Sequence, residues 1–344
     1  MHKKYFIIVG CGIAGAALYE HLTALNKDVL IIDENAKITS SRVSGGVCNP
    51  IVFKRITFSW RVQELLPYAL SFFKKQEEKY NASFVMENIP IYKIFGSQEE
   101  KAYWDKKSIT LKDWISPSTQ INQVPNHFGS GLVKQVLRVD VNNWLDAIIN
   151  HLKENNKILF ESFDYDLLEI KDNVVRYKNF EAKGIIFCEG YKSIHNPFFN
   201  WLPFKLTKGE VLTVEDEINT QGIIHKGGFV ATIGPQQQKV GATYNWDDLT
   251  EQTTEEAKNI LLKKYEHITG RSPKKIIQQE VGIRPTVKDR RPLLGNHPEF
   301  KNLYVFNGLG TKGAMLGPYF ANEMAQFLLN NRPIDKTVNC QRYL

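Results

Sequence analysis

The sequence has few cysteines, and they are not arranged to hold a metal or a disulfide framework. Cys11, Cys48, Cys188 and Cys340 are far apart along the 344 residues and form no CxxC or Cys/His ligand pattern. We therefore expect no structural zinc, and free thiols are typical of a cytoplasmic protein. The eight histidines form no HxH or HExxH pattern. We predict no metal site and assign no catalytic histidine.

Long hydrophobic runs are also missing. The longest apolar stretches, YFIIVG and VLII, are much shorter than the roughly 20 residues that a membrane-spanning helix needs. No charged and apolar leader precedes the first predicted strand. We therefore expect a cytoplasmic protein without membrane insertion. GxSxG and P-loop motifs are absent too, which argues against a serine hydrolase or a P-loop nucleotidase.

Charge gives only a weak indication of a partner. The formal net charge is +7 at pH 7, but the lysine and arginine doublets are scattered along the chain. This distribution favours a solvated surface over a patch that binds nucleic acid. With 42% hydrophobic residues over 344 positions, the chain is long enough to form two domains with real cores.

The first 34 residues contain a strand, a glycine-rich turn, a helix and a second strand. KYFIIVG and DVLIID read as buried strands, and IAGAALYEHLTALNK has helical spacing at Ala14, Leu18, Leu22 and Leu25. This order is the βαβ unit of a dinucleotide-binding domain. Ile13 and Ala14 begin the helix, so we assign both to the cofactor site.

The glycines of VGCGIAGA have separable roles. Gly10 permits the tight turn, Gly12 lets the backbone approach a pyrophosphate, and Gly15 lets the helix pack on the strand. Asp33 is placed to accept hydrogen bonds from ribose hydroxyls. Glu34 is next to it, and strand alternation predicts that one of these two acids points away from the site.

The rest of the nucleotide-binding fold returns late in the chain. An NAD enzyme would complete its sheet soon after the first unit, whereas here a long helix, WRVQELLPYALSFFKKQEEKY, follows first. EAKGIIFCEG and NLYVFNGLG then read as buried strands that end near Gly190 and Gly308. This split favours FAD over NAD.

The sequence therefore predicts an α/β protein with a Rossmann-like FAD-binding domain and an inserted antiparallel-sheet substrate domain. GEVLTVE, GGFVATI and KVGATYNW read as strands of the insertion, and Thr253 or Thr254 could cap the helix that follows. We assign residues 1–80, 136–203 and 278–344 to the FAD-binding domain. Residues 81–135 and 204–277 form the predicted substrate domain.

A second glycine-rich loop, NGLGTKGAMLGPYFA, lies close to the C-terminus. It contains Gly308, Gly310, Gly313 and Gly317 with Lys312 between them, and an apolar helical run follows. A glycine loop that enters a helix presents backbone N–H groups with a partial positive charge. Such a loop suits an anion or an electron-rich group.

Motifs along nearly the whole chain resemble those of one enzyme family. IIVGCGIAGAALYEHL, SSRVSGGV, LTKGEVL, VGIRPTVKDRRPLLGNHP and NGLGTKGAMLGP are similar to the D-amino-acid oxidase and glycine oxidase family of FAD enzymes. Within that family, GLGTKG and GATYNWDD most resemble the flavin domain of the bacterial bifunctional enzyme that matures methylaminomethyl-thiouridine in tRNA. The methyltransferase domain normally fused to that flavin domain has no counterpart in this sequence.

The resemblance implies that the late loop contacts the flavin. Gly313, Ala314, Met315 and Leu316 would lie at the N1 and C2 carbonyl edge of the ring, with Gly308 and Gly310 in the loop that leads to it. We predict that these N–H groups stabilise the reduced, anionic flavin. Lys312 would add to this field, and a surface lysine is the alternative.

The same resemblance assigns the turn SRVSGGVCNP to FAD. Ser41 would lie near the phosphates, and Gly45, Gly46 and Val47 would run along the flavin. Cys48 is close to this turn, but family members with a covalent flavin attach it elsewhere, so we predict that FAD is held non-covalently.

Arg284, in VGIRP, matches the family arginine that pairs with a substrate carboxylate, and a structural salt bridge is the alternative. Gly190 matches a glycine near the adenosine. Phe229 replaces a tyrosine that helps to hold the carboxylate of small amino acids, so it is assigned to substrate binding without a hydroxyl. Thr311 stands where an arginine sometimes occurs. These two differences favour an amine larger than a free amino acid.

We therefore predict an FAD-dependent amine or amino-acid oxidase or dehydrogenase that oxidises the C–N bond of a carboxylate-bearing amine, such as an N-substituted glycine. Two alternatives stay open: removal of a carboxymethyl group from a modified wobble uridine, with tRNA as the partner, and an FAD-containing redox or binding module. The electron acceptor is oxygen or another, unidentified acceptor.

Overall fold

The computed structural model describes residues 1–36, 38–122, 124–172, 174–218 and 222–344. The helices in these ranges are α1 (Ile13–Ala24), α2 (Ser40–Val43), α3 (Val62–Tyr80), α4 (Gln98–Thr110), α5 (Val141–Glu154), α6 (Glu255–Thr269) and α7 (Gly313–Asn330). The strands are β1 (His2–Lys4), β2 (Phe6–Val9), β3 (Val29–Asp33), β4 (Val47–Cys48), β5 (Ile51–Val52), β6 (Thr57–Phe58), β7 (Val85–Met86), β8 (Ile91–Ile94), β9 (Ser130–Val133), β10 (Leu137–Val139), β11 (Ile158–Phe160), β12 (Leu168–Ile170), β13 (Val175–Tyr177), β14 (Phe180–Ala182), β15 (Ile185–Phe187), β16 (Thr207–Glu215), β17 (Ile223–His225), β18 (Phe229–Gly234), β19 (Gln237–Gly241), β20 (Lys275–Arg284), β21 (Leu293–Asn296) and β22 (Leu303–Asn307).

A largely parallel sheet forms the centre of the nucleotide-binding part. In the described ranges it has six strands in the order β11-β3-β2-β15-β22-β21, and only β21 runs antiparallel to its neighbour. Both faces are covered: Ile8 and Ile31 pack with α1, α3, α5 and α7, while Ile7 and Ile32 pack on the opposite side with β13 and β15. Burial on both faces explains the continuous apolar runs of these strands.

A second, mostly antiparallel sheet has seven strands among the described residues. Their order is β20-β16-β19-β18-β17-β8-β9. The strands β8 and β9 come from the first predicted insertion, and β16, β17, β18, β19 and the start of β20 come from the second, so both insertions build one sheet. This combination of sheets confirms the predicted fold class. The domain boundaries remain a prediction, and β20 runs across the proposed boundary at residue 277.

Helix α6 covers one face of the seven-stranded sheet. Leu261, Tyr265 and Ile268 of α6 pack against Leu212 and Val240 in one apolar cluster. The hydroxyl oxygen of Thr254 accepts a hydrogen bond from the N–H of Ala257 at 3.1 Å, which confirms the predicted cap at one of the two threonines. The opposite face of the sheet is free to line a cavity.

Three predicted strands are shorter or divided in the structure. KYFIIVG is divided between β1 and β2, and EAKGIIFCEG is divided between β14 and β15. Each of these segments leaves one sheet and enters another. β1 pairs with β14 in a four-stranded sheet of the described residues, whereas β2 pairs with β15 in the parallel sheet. KVGATYNW is a strand only to Gly241. The remainder is a loop that carries Tyr244 and Trp246.

A helix that crosses a membrane must be both long enough and apolar enough. None of the helices in the described ranges meets both requirements.

Candidate active site

A cavity of about 630 Å³ lies between the carboxyl ends of the parallel strands and the open face of the seven-stranded sheet. Gly10 and Asp33 line it on the side of the parallel sheet, and Gly209, Phe229 and Arg284 line it on the other side. Ligands in α/β proteins typically bind at the carboxyl ends of parallel strands. The cavity therefore brings both predicted parts of the site together.

The first glycine loop packs tightly under the cavity. Gly10 has a φ of 99°, and a side-chain carbon at this position would lie 2.5 Å from the carbonyl oxygen of Cys188. A carbon at Gly15 would lie 1.9 Å from the carbonyl oxygen of Gly10, so Gly15 lets α1 approach the loop and does not line the cavity. Gly12, Ile13 and the neighbouring Ala14 do line it.

The N-terminus of α1 and the side chain of Ser41 lie together in the cavity wall and form a polar site. The hydroxyl oxygen of Ser41 accepts a hydrogen bond from the N–H of Ile13 at 3.1 Å. A side-chain carbon at Gly12 would lie 3.0 Å from this hydroxyl. The first N–H groups of a helix have no acceptor within the helix and carry a partial positive charge. This point can therefore bind a phosphate.

Asp33 and Glu34 both line the cavity. That one of these two acids points away from the site stays a prediction, and their carboxylates do have different partners. The carboxylate of Asp33 accepts hydrogen bonds from the N–H groups of Cys11 at 2.6 Å and Asn35 at 2.7 Å. Glu34 pairs with Lys192. Asp33 is thus held by the backbone beside the first glycine loop.

The sequence prediction missed Glu189, which lines the cavity next to the predicted Gly190. Its carboxyl group accepts hydrogen bonds from the hydroxyl of Tyr165 and from the side-chain amide of Asn196 at 2.8 Å. Burial raises its pKa, and these donors oppose the rise. The carbonyl of Gly190 accepts a hydrogen bond from Asn307 at 2.8 Å, which ties this segment to β22.

The turn after α2 forms a wall of the cavity opposite the seven-stranded sheet. Gly45, Gly46, Val47 and Cys48 all line it. A side-chain carbon at Gly45 would lie 3.8 Å from the ring of Phe229, so this turn faces the sheet across a narrow gap. Burial raises the pKa of the Cys48 thiol to about 12, which disfavours the reactive thiolate.

The second glycine loop leads into α7, whose N-terminus adjoins that of α1. A side-chain carbon at Gly313, the first residue of α7, would lie 3.0 Å from the side chain of Ile13, the first residue of α1. Two helix N-termini thus meet at one cavity. Not all other predicted residues of this loop line the cavity. Gly310, Ala314 and Met315 line it, whereas Gly308 and Leu316 do not.

Lys312 lies at the start of α7 and lines the cavity. Its ammonium group donates a hydrogen bond to the hydroxyl of Ser59 at 3.0 Å. Burial lowers the pKa of Lys312, and the charges of Arg291 and Arg290 lower it further. The structure therefore places a partly buried lysine at this end of the cavity, in contrast to the alternative of a surface lysine.

Arg284, the last residue of β20, presents its guanidinium to the cavity. A side-chain carbon at Gly209 on the neighbouring β16 would lie 2.0 Å from Nη2 of Arg284, so the guanidinium extends over that glycine. It makes long contacts of 3.4 and 3.5 Å to the carbonyl oxygen of Thr243 and lies 4.6 Å from the ring centroid of Tyr244. Burial lowers its pKa. No acidic side chain in the described ranges forms a salt bridge with it.

Phe229 and Thr311 also line the cavity. The Phe229 ring lies over Gly241, where an added side-chain carbon would be 2.6 Å from it. Sequence reasoning did not single out Tyr244, which lines the cavity and covers Arg284. Tyr244 belongs to the motif GATYNW, whose resemblance to the family assigns no role to this side chain. Tyr244 therefore places an aromatic ring beside Arg284, the predicted carboxylate anchor, and sequence reasoning assigned this ring no role.

These residues suit an elongated ligand with a diphosphate. The α1 N-terminus and Ser41 can hold phosphate oxygens, Asp33 lies where a ribose would extend from them, and the α7 N-terminus faces the same cavity. The cavity then continues to Arg284 on the seven-stranded sheet. A bound dinucleotide would therefore leave one end beside the proposed substrate anchor.

Comparisons with known proteins agree with this arrangement. A family model described as FAD dependent oxidoreductase matches residues 6–327. A Bacillus subtilis (strain 168) protein named uncharacterized oxidoreductase YurR is 22% identical over 96% of both chains.

Two solved structures are similar to this chain. Glycine oxidase from Geobacillus kaustophilus has a TM-score of 0.79 at 17% identity and covers 98% of this chain and 97% of its own. Iminodiacetate oxidase from Chelativorans sp. BNC1 has a TM-score of 0.78 at 16% identity, with coverages of 97% and 98%. Likeness at these identities shows a shared fold.

Proposed function

Because the chain belongs to the family of FAD-dependent oxidoreductases, we propose that it oxidises the C–N bond of an amine that carries a carboxylate. Two proteins of similar fold are named as oxidases of glycine and of iminodiacetate. Both of those substrates are amines with a carboxylate one carbon from the nitrogen. The proposal extends this substrate class to the present chain.

The guanidinium of Arg284 carries the proposal. It is partly buried, it lines the cavity, and no acidic side chain of the described residues forms a salt bridge with it. A buried charge without a partner destabilises the fold. A ligand carboxylate would neutralise it and would match its planar set of donors.

When FAD is bound, it supplies the acceptor for the hydride that leaves the carbon next to the amine nitrogen. The residues of the chain bind and orient. In this proposal, the N–H groups at the start of α1 and Ser41 would hold the diphosphate, and those at the start of α7 would favour the negative charge of the reduced flavin. Arg284 holds the substrate carboxylate, and Lys312 adds a positive charge near α7.

The favoured substrate is an N-substituted glycine. Phe229 has no hydroxyl that could donate a hydrogen bond to the substrate carboxylate, and Thr311 has no positive charge that could pair with it. Arg284 is therefore the proposed carboxylate anchor. A free glycine would be held weakly by one such group, because little of the molecule remains for other contacts. A substituent on the nitrogen adds apolar contacts in the cavity.

Flavin reduction without oxygen tests this function. The FAD-bound protein is mixed anaerobically with matched pairs: sarcosine against dimethylamine, and N-benzylglycine against N-methylbenzylamine. We expect the carboxylated member of at least one pair to bleach the flavin about tenfold faster or more, since only it can pair with Arg284. Equal rates within both pairs would contradict the carboxylate anchor. Failure of every amine would favour the alternative of a redox or binding module.

A second candidate function is removal of the carboxymethyl group from a modified wobble uridine in tRNA. The observation that favours it is an aromatic pair near Arg284. Tyr244 and Trp246 stack with centroids 6.3 Å apart and are 56% and 64% exposed. Exposed aromatic rings suit the stacking of an unpaired base.

This candidate predicts tRNA binding that weakens steeply with salt, because phosphate contacts release counterions. We would measure the binding of a tRNA with a carboxymethylaminomethyl uridine at 50 and 200 mM salt, and flavin bleaching by that tRNA. Binding that does not respond to salt, together with rapid turnover of a small N-substituted glycine, would leave the small amine as the substrate.

A further inference from the structure

One face of the seven-stranded sheet continues the cavity well beyond Arg284. The strand registers place Val211, Gly241, Phe229 and His225 in one row across β16, β19, β18 and β17. All except Gly241 line the cavity. Neighbouring strands are about 4.8 Å apart, so β17 lies roughly 19 Å from β20, the strand of Arg284. The sheet thus offers a second end of the cavity, at His225.

Apolar side chains surround this second end. Phe53, Ile91, Ile223, His225 and Phe229 all line the cavity, and we call the space among them the His225 chamber. The rings of Phe53 and His225 have centroids 4.4 Å apart. Ile91 pairs with Ile223 in the sheet, and both belong to one apolar cluster against which Phe53 and Phe229 pack. The chamber suits an apolar or aromatic group.

His225 supplies polar atoms within this apolar chamber. Its Nδ1 is sealed from water and has no hydrogen-bond partner among the described residues. Burial lowers the pKa of His225 to about 4, the nearby charge of Lys93 lowers it further, and Glu100 opposes this. The ring is therefore neutral at pH 7 and can donate from one nitrogen and accept at the other. Since Nδ1 is sealed, Nε2 is the nitrogen that a ligand can reach.

Because Nδ1 is sealed, a ligand cannot pair with it, and the hydrogen bond that a ligand could add is at Nε2. Structural packing alone would be served as well by phenylalanine, whose ring fills similar space without polar atoms. A ligand that brings its own hydrogen-bonding group would pair with Nε2. The geometry favours a ligand that reaches the chamber from within the same cavity.

We propose that the His225 chamber binds the nitrogen substituent of the substrate, and that this substituent is an aromatic or apolar group that ends in one hydrogen-bonding group facing His225. This inference rests on the proposed function, in which Arg284 holds the carboxylate. The two ends of the cavity then recognise the two ends of one molecule. A site that hydrogen-bonds a hydroxyl discriminates against the analogue without it.

Ligands that differ by one hydroxyl test this inference. The FAD-bound enzyme is titrated with benzyloxyacetate and with its 3- and 4-hydroxybenzyl counterparts, in which an ether oxygen replaces the nitrogen so that no C–N bond can be oxidised. Binding is followed by the change in flavin absorbance. We expect one hydroxylated isomer to bind about tenfold more tightly than benzyloxyacetate. The same order is expected in kcat/KM for the corresponding N-benzylglycines.

Variants then assign the preference to His225. His225→Phe should reduce the hydroxyl preference to within about twofold, whereas His225→Asn, which keeps a hydrogen-bonding group, should retain part of it. His127→Phe is the matched control, because His127 is exposed and does not line the cavity. Flavin content and Tm show whether each variant is folded.

The outcomes separate this inference from the proposed function. No preference for either hydroxylated isomer in the wild type, or a preference that survives in His225→Phe, would overturn the role of the chamber. Neither result affects the comparison of N-benzylglycine with N-methylbenzylamine, which tests the carboxylate anchor alone. If N-benzylglycine and N-methylbenzylamine react equally fast while the hydroxyl preference is observed, the binding role of the His225 chamber is supported and Arg284 is not the carboxylate anchor.

Discussion

The guanidinium of Arg284 occupies the space that a side chain at Gly209 would fill. A side-chain carbon at Gly209 would lie 2.0 Å from Nη2 and 2.3 Å from Cζ of Arg284. The nearest atoms are the end of a flexible side chain, so a larger residue at 209 would move the guanidinium before it disturbed the backbone. Residue 209 therefore sets the position of Arg284 in the cavity.

Gly209→Ala should displace Arg284 without unfolding the protein. We expect kcat/KM for a carboxylated amine to fall about tenfold, because the donors no longer meet the carboxylate. The matching amine without a carboxylate should change by less than about twofold. Flavin content and Tm should stay near those of the wild type. Unchanged kinetics for the carboxylated amine would show that the substrate does not depend on this position of Arg284.

Gly12→Ala should weaken FAD binding. The added methyl group would lie 3.0 Å from the hydroxyl of Ser41, at the point where the N-terminus of α1 faces the cavity. It would crowd the proposed diphosphate before it met any core residue, so we expect the Kd for FAD to rise about tenfold or more. Titration of the apoprotein with FAD, followed by flavin fluorescence, measures this change.

Ser41→Ala provides the comparison for that titration. It removes the hydroxyl but adds no atoms near Gly12, so the rise in Kd should be smaller than for Gly12→Ala. Circular dichroism should show both variants folded. Normal FAD affinity in Gly12→Ala would place the phosphates elsewhere in the cavity.

The sequence contained enough local information to predict the two helix starts that face the cavity. GCGIAG and GLGTKG mark turns that lead into helices, and a side-chain carbon at Gly15 would lie 1.9 Å from the carbonyl oxygen of Gly10, a close approach that only glycine permits. The apolar runs of β2, β3, β15 and β22 predicted a parallel sheet, because strands that are buried on both faces need them. These features depend on neighbours in the sequence.

Other parts of the site depend on contacts between distant segments, and the sequence did not reveal them. Glu189 has its hydrogen-bond donors on Tyr165 and Asn196, which no motif connects. The apolar neighbours of His225 in the cavity include Ile91 of β8, the strand some 130 residues earlier with which β17 pairs. Tyr244 covers Arg284 because β19 ends at Gly241. Strand ends and pairings of this kind have no signal in a single sequence.

Acid should destabilise the protein through two partly buried histidines, His21 and His225. Burial lowers the pKa values of His21 and His225 from 6.5 to about 4. The unfolded chain therefore binds a proton at each histidine below pH 6.5, whereas the folded chain does so only near pH 4. The free energy of unfolding is therefore not reduced by these histidines above pH 6.5, and it falls as the pH drops from 6.5 toward 4. Each histidine contributes up to about 2 kcal/mol of this loss between pH 7 and pH 5.

His21→Gln tests this assignment by urea unfolding at pH 7 and pH 5. The amide can still donate to the carbonyl of Pro318, which the ring nitrogen of His21 contacts at 2.9 Å. The variant should lose about 2 kcal/mol less free energy of unfolding than the wild type over this interval. An identical loss in both proteins would mean that His21 does not titrate between the two states.

Arg284→Ala should separate substrate recognition from cofactor binding. A charge-assisted contact with two donors contributes roughly 1.5–3 kcal/mol, so kcat/KM for a carboxylated amine should fall about ten- to a hundredfold. FAD should stay bound, because Arg284 lies on the seven-stranded sheet and the glycine loops lie on the other side of the cavity. Flavin absorbance of the purified variant and stopped-flow reduction measure the two effects.

Arg284→Lys is the conservative variant, and it should recover only part of that loss. An ammonium keeps the charge but not the planar pair of donors, and it is more strongly hydrated than a guanidinium. An amine without a carboxylate should respond little to either change, because the partner of Arg284 is then missing. Equal damage to both kinds of amine, or joint loss of flavin and Tm, would instead make Arg284 part of the framework that holds Thr243 and Tyr244 in place.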